Sequence, residues 1–213
     1  MRKNQAIRGA WAIAPLLLAL CCLAAPARAA VETYEIDTVH SSVSFTIRHL
    51  VSRVQGRFTT FSGTILLDRD NPATARVKAE IDAGSIDTAN TDRDNHLRSP
   101  DFFDTSKFPK ILFESTGVTV QSKDKVTLKG NLTMHGVTLP VSLEVTGLGY
   151  GTGMRSEFKA GFEARTTLSR KDFGIVWNKA LDAGSLVLGN EVEVDLLVEA
   201  VRKEPAPSPQ TAK

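Results

Sequence analysis

The sequence predicts an all-β protein, a single antiparallel barrel of about eight strands with one short helix in a long loop. Three observations predict it. Segments in which apolar and polar residues alternate recur along the chain, short turn signals separate most of them, and one long stretch, Ser85 to Pro109, breaks the series. Successive side chains of a strand point to opposite faces, so alternation of this period means one dry face and one wet face. Buried parallel strands are apolar on both faces, so the pattern selects an antiparallel sheet.

The chain opens on a segment of different character. Arg2, Lys3 and Arg8 precede an uncharged run of 13 residues from Trp11 to Leu23, and no acid occurs before Glu32. That run is too short to cross a bilayer, which takes about 20 residues. Ala27-Arg28-Ala29 offers the small-x-small pattern of a signal-peptidase site, so residues 1–29 are expected to be a cleaved signal peptide and the mature chain to begin at Ala30. A lipid anchor on Cys21 or Cys22 is disfavoured, because Leu20 and Cys21 are bulkier than the small residue expected before a lipidated cysteine. The expected location is the periplasm, with no stable membrane anchor.

Losing the leader changes the balance of charge. The whole chain has 26 Lys+Arg against 24 Asp+Glu; without Arg2, Lys3, Arg8 and Arg28 the count is 22 against 24, a net charge of −2. Such a chain has no electrostatic footprint for nucleic acid or for an anionic membrane surface. Both cysteines leave as well, so the mature protein is held by its apolar core without a disulfide.

The alternating segments follow in order. Val43, Phe45 and Ile47 oppose Ser42, Ser44, Thr46 and Arg48, and Arg57–Asp68 reads as a second strand. Val77, Ala79 and Ile81 oppose Arg76, Lys78, Glu80 and Asp82, and Lys110–Thr116 follows the long loop. Val126, Leu128, Gly130, Leu132 and Met134 form one row, Val141, Leu143 and Val145 another. Phe158, Ala160, Phe162 and Ala164 form the next, and Val192, Val194, Leu196, Val198 and Ala200 the last. Asp70-Asn71-Pro72, Ser122-Lys123-Asp124, His135-Gly136 and Gly149–Gly153 supply turn chemistry between them. His49 to Gln55 is expected to form one helical turn. Ser85–Pro109 reads as a short helix around Asp92–Arg98, then a turn at Ser99-Pro100, with Phe102-Phe103 plugging one end of the barrel. Residues 204–213, with Pro205, Pro207 and Pro209, are expected to be a disordered tail, leaving 30–203 for the barrel.

A sheet of this size must deal with its edges, and short-turn connectivity with one excursion favours closure as an up-and-down barrel. Eight strands enclose a lumen for side chains or one small ligand. The large-small row at Phe158–Ala164 and the interruption at Gly130 are read as gaps that leave room in that lumen. The competing reading is that they accommodate larger neighbours across the core.

Signals for catalysis are weak. No Gly-x-Ser-x-Gly elbow, phosphate loop or His-Glu-x-x-His occurs, and the mature chain has no cysteine. His40 and His49 lie nine residues apart, at opposite ends of roughly 30 Å of extended chain, and cannot share a metal. His49, His96 and His135 could meet, but strand-end and loop hydrogen bonds are the expected roles. In Asp92-Arg93-Asp94-Asn95-His96 the acids suit the start of a helix and the basic groups lie further along, a structural role first. Contact of Arg93 and Arg98 with an anionic head group comes second, and acid-base catalysis third.

Longer motifs carry a resemblance. Asp37–Ser41, Phe45–Leu50, Val54–Phe58, Phe61–Gly63, Asp92–Ser99 with Asp101–Asp104, Phe108-Pro109, Gly130–Thr138 and Arg170–Gly174 follow one another as in the YceI-like family. The resemblance spans residues 33 to 202. It implies a lipocalin-like barrel, exported, that binds polyisoprenoid or related long-chain amphiphiles, and carriage or storage rather than turnover. It also implies links with isoprenoid quinone metabolism and stress responses, and provides no catalytic residues.

Strand phase then selects Phe45, Ile47, Phe113, Leu128, Leu132, Phe158, Phe162 and Val194 as lumen lining, with Arg93 and His96 as partners for a polar head. No catalytic residue, metal ligand or cofactor is assigned. The expected partner is a long-chain isoprenoid or fatty amphiphile; a homodimer is compatible with the sequence, which does not determine oligomeric state. The alternatives are a periplasmic enzyme or metal-binding protein acting on a lipid-like substrate through Arg93, Asp94 and His96, and a solidly packed structural barrel.

Overall fold

Eleven strands and one α-helix occupy the described residues, 31–179 and 186–204, of a computed structural model. The leader assigned to residues 1–29 and the tail beyond Glu204 lie outside them. The strands are β1 (Glu32–Ile36), β2 (Ser42–His49), β3 (Ser52–Phe58), β4 (Phe61–Leu67), β5 (Arg76–Asp82), β6 (Ile86–Asp87), β7 (Lys110–Val120), β8 (Lys125–Met134), β9 (Val137–Thr152), β10 (Phe158–Ser169) and β11 (Leu188–Arg202). The helix α1 (Thr91–Arg98) lies in the long loop between β6 and β7.

Eight strands close a ring in the order β1-β4-β5-β7-β8-β9-β10-β11, sealed by antiparallel pairing of β1 with β11, while β2, β3 and β6 continue from β11. One edge of β11 serves two partners, β2 over Leu188–Leu197 and β1 over Ala200–Arg202. The strands β1 and β2 therefore lie end to end, as do β4 and β3, which pair with them. The same holds for β5 and β6. Counted through these breaks, the chain is an up-and-down barrel.

The breaks leave backbone groups that need partners, and serine hydroxyls supply them. Ser41 Oγ accepts from Glu199 N at 3.0 Å and donates to Glu199 O at 3.1 Å, spanning the gap between β1 and β2. Ser85 Oγ accepts from Thr60 N at 3.1 Å and donates to Asp82 O at 2.6 Å, at the gap between β4 and β3. Where the β7–β8 register shifts between Ser115 and Gly117, Ser115 Oγ accepts the N–H of Val77 at 2.8 Å.

Two expectations of local structure are corrected. The segment Arg57–Asp68 is not one strand but the end of β3 and the whole of β4, broken at Thr59-Thr60. No helical turn follows His49: the pairing His49↔Ser52 leaves only Leu50-Val51 for the turn, with Leu50 at φ +52. The sealing strand β1 has no counterpart in the sequence reading, because its short stretch alternates weakly.

The long loop packs as anticipated. Asn90 caps α1 by accepting from Arg93 N, and Ser99 ends it. Arg98 ties the helix down by donating to Gly84 O at 2.7 Å and Ile86 O at 2.6 Å. Phe102 is buried with Phe58, Ile86, Ile111, Met134, Phe173 and Ile175, and Phe103 meets Phe58 edge-on at 5.7 Å. That cluster closes one end of the barrel. Tyr34, Ile65, Leu67, Ala160 and Ala200 form a second cluster toward the other end.

Candidate ligand-binding site

Between these clusters the barrel is hollow. A cavity of about 730 Å³ runs along it, within the range of small-molecule sites. Strand phase explains its lining, since the inward face of each wall strand is apolar. Phe45, Ile47, Phe113, Leu128, Leu132, Phe162 and Val194 all border the cavity. Phe45, Phe113 and Val194 remain only partly covered, because open space lies beside them.

Phe158 does not border it. Its ring lies near the Tyr34 cluster, stacked 6.1 Å from Tyr150 and covered by the guanidinium groups of Arg69 at 5.0 Å and Arg202 at 4.7 Å. Its phase is that of Phe162, but it packs against the cluster of Tyr34, Ala160 and Ala200 instead of facing the cavity. Gly130 is not a gap either. A Cβ there would stand 2.4 Å from Phe113 Cζ, so the glycine makes room for the Phe113 ring, the competing reading of the sequence. Gly56 does the same for Phe45.

At the helix end the candidate polar groups are engaged. Asp94 is buried and accepts from Thr88 N at 2.9 Å and Thr88 Oγ1 at 2.5 Å. Arg93 donates from Nε to Thr88 Oγ1 and from Nη2 to Thr88 O, both at 2.7 Å. His96 Nε2 is 2.9 Å from Asp101 Oδ2, and its ring packs edge-on against Phe102 and Trp177. Arg93 and His96 both border the cavity, but this network first holds α1 over the barrel end.

Sequence reasoning missed Arg170. It borders the cavity, is 4% exposed, and donates from Nε to Gly189 O at 2.9 Å and from Nη1 to Ile175 O and Trp177 O, both at 2.8 Å. Its Nη2 has no hydrogen-bond partner among the described residues. Burial pulls the guanidinium pKa below its ordinary value. The residue stands within the Arg170–Gly174 motif, but in a turn, where no periodicity shows which way a side chain faces.

The opposite end neutralises its cations. Glu32 pairs with Arg69 at 2.9 Å and Arg202 at 2.8 Å, and accepts the Tyr34 hydroxyl at 2.6 Å. Burial opposes the Glu32 charge, but the bonds from Tyr34, Arg202 and Arg69 outweigh it and hold the carboxyl below its usual range. Burial and the Glu32 carboxylate raise the Tyr34 phenol.

The histidines stay apart. His135 Nδ1 is 3.0 Å from Phe173 O, and His49 borders the cavity. Among the described residues the one cluster of metal-ligating type is Asp37, His40 and Glu199, at the β1–β2 break. The Lys159 ammonium already sits 2.6 Å from Glu199 Oε1 and 3.7 Å from Asp37 Oδ2, supplying the cation there.

Comparison with known proteins follows the same lines. The sequence profile of the YceI-like domain matches residues 34–200. A UPF0312 protein of Shewanella baltica is 39% identical over 184 residues, covering 85% of this chain and 93% of that protein; its Shewanella oneidensis counterpart is 38% identical over the same span. Burkholderia cenocepacia BcnA superposes with a TM-score of 0.69 at 21% identity, over 77% of this chain and 98% of that one. The Campylobacter jejuni YceI protein gives 0.64 at 28%, over 74% and 90%. A polyisoprenoid binding domain from Saccharophagus degradans gives 0.58 at 19%, over 80% and 98%.

Proposed function

The chain belongs to the YceI-like family, and from that premise we propose that it is a periplasmic carrier that sequesters a polyisoprenoid or related long-chain amphiphile in its barrel lumen. The observation that carries the reading is the apolar cavity running along the barrel. Apolar surface withdrawn from water contributes about 25 cal/mol per Å², so a long chain binds such a lumen with few polar contacts. The Saccharophagus domain adds that a barrel of this fold accommodates a polyisoprenoid. Export rests on the leader motif alone.

Carriage is favoured over turnover by what the polar groups at the helix end do. Catalysis needs convergent groups free to act on a substrate, whereas Asp94 and Arg93 are bonded to Thr88 and His96 to Asp101. Solvent extraction of the purified protein followed by mass spectrometry tests the proposal. A long-chain lipid in stoichiometric amount is expected. No such lipid, together with no binding of added isoprenoids, overturns it.

A further inference from the structure

Arg170 is a buried cation for which the described residues supply no carboxylate partner. Isolated charges are costly to bury, and interior charges are normally paired. The barrel obeys that rule at its other end, where Arg69 and Arg202 share Glu32. Arg170 has three carbonyl partners, and among the described residues no carboxylate pairs with it. Carbonyls orient a guanidinium without neutralising it. Three of the five N–H groups of the fork are spoken for, and the Nη2 donors are left over.

Its position places the residue at one end of the lumen. Arg170 borders the cavity and grips the backbone of Trp177, whose ring packs against His96 and Phe102 beneath α1. This is the helix end of the lumen. The lining beyond it is apolar, through Phe45, Val194 and Leu128 toward Leu67. A fixed cation at one end of an apolar channel suits a ligand with one acidic end and a long apolar remainder.

We propose that Arg170 receives the acidic head group, a carboxylate or phosphate, of the carried amphiphile, placing the head beneath α1 and the chain toward the Tyr34 end. The assignment rests on the reading of the lumen as a chain-binding site. It moves the head-group contact from Arg93 and His96 to a residue whose Nη2 has no partner among the described residues. Guanidinium and carboxylate or phosphate form short charge-assisted bonds, stronger than those between neutral groups.

The test compares matched probes by calorimetry: a long-chain fatty acid, an isoprenyl monophosphate, and the alcohol of each chain. Wild-type protein is expected to bind at least one acidic probe about tenfold or more tighter than its alcohol. In Arg170→Gln that ratio falls toward unity, while affinity for the alcohols holds, a change that mere loosening of the Trp177 segment would not produce. Arg170→Lys, which keeps charge but loses the fork, recovers part of the ratio. Equal affinity of wild-type protein for acids and alcohols overturns the head-group assignment and leaves the carrier reading standing. Failure to bind any of the four probes overturns both. An unchanged ratio in Arg170→Gln overturns the assignment; if that variant does not fold, Arg170→Lys decides, since a ratio left at the wild-type value there overturns it too.

Discussion

Tyr34 donates its hydroxyl to Glu32 at 2.6 Å, two residues back along the same strand and on the same inward face. The bond joins a fully buried phenol to a carboxylate that also anchors Arg69 and Arg202. It binds the strand that seals the ring to the cations of its neighbours. Tyr34→Phe keeps the ring and removes the bond. A hydrogen bond to a charged group contributes about 1.5–3 kcal/mol, so a loss of that order is expected in urea denaturation. An unchanged midpoint refutes the role.

Acid acts at the same place. The folded protein holds Glu32 below its ordinary 4.5, through the Tyr34, Arg202 and Arg69 bonds that outweigh burial, and Asp37 below its ordinary 3.8, chiefly through the hydrogen bond with His40. A carboxylate with a depressed folded-state pKa contributes stability that is present above its unfolded value and is lost as pH falls through the folded one. Stability is therefore expected to decline progressively below pH 4.5. Glu32→Gln is less stable at pH 7 and shows a smaller further drop on acidification. Parallel pH profiles for the two proteins contradict this.

Gly130→Ala places a methyl 2.4 Å from Phe113 Cζ and 2.7 Å from Glu114 O. The ring must swing into the lumen, at an overpacking cost of about 1–3 kcal/mol. Gly151→Ala, with nothing within 4 Å, is the control and is expected to be neutral. Thermal melts of the pair separate the readings; equal melting temperatures refute the close approach.

Val194→Trp fills the lumen from its wall. A chain denied about 60 Å² of lining forfeits about 1.5 kcal/mol, roughly tenfold in affinity. Calorimetric titration with a long-chain isoprenoid alcohol is the measurement, and undiminished binding excludes the lumen as the site.

Trp177 supplies an internal reporter. The two tryptophans of the chain are Trp11, in the leader segment, and Trp177, so a chain beginning at Ala30 has tryptophan emission from Trp177 alone. Its ring borders the cavity beneath α1. Fatty acids brominated near the carboxyl are expected to quench it more than those brominated near the methyl end. The reverse order inverts the orientation of the chain.

Alternation by itself determined the antiparallel class, most of the strands and the phase of seven residues that border the cavity, because the face a strand residue takes is a local property of the backbone. The His135-Gly136 turn and the short helix around Asp92–Arg98 are legible for the same local reason, whereas the Asn90 cap is not. Level along the barrel axis is not local. Phe158 has the phase of Phe162, yet it packs against the Tyr34 cluster under the Arg69 and Arg202 guanidinium groups and does not border the cavity. Gly130 looked like empty space until the register of β7 on β8 laid Phe113 beside it. Closure was decided by β1 meeting β11, some 165 residues away, through a strand too short to announce itself. Arg170 lies in a turn, without periodicity, and its meaning depends on which carbonyls surround it and on the donors they leave unused. The barrel was written in the period of the chain; the charged end of its lumen came from contacts that no period encodes.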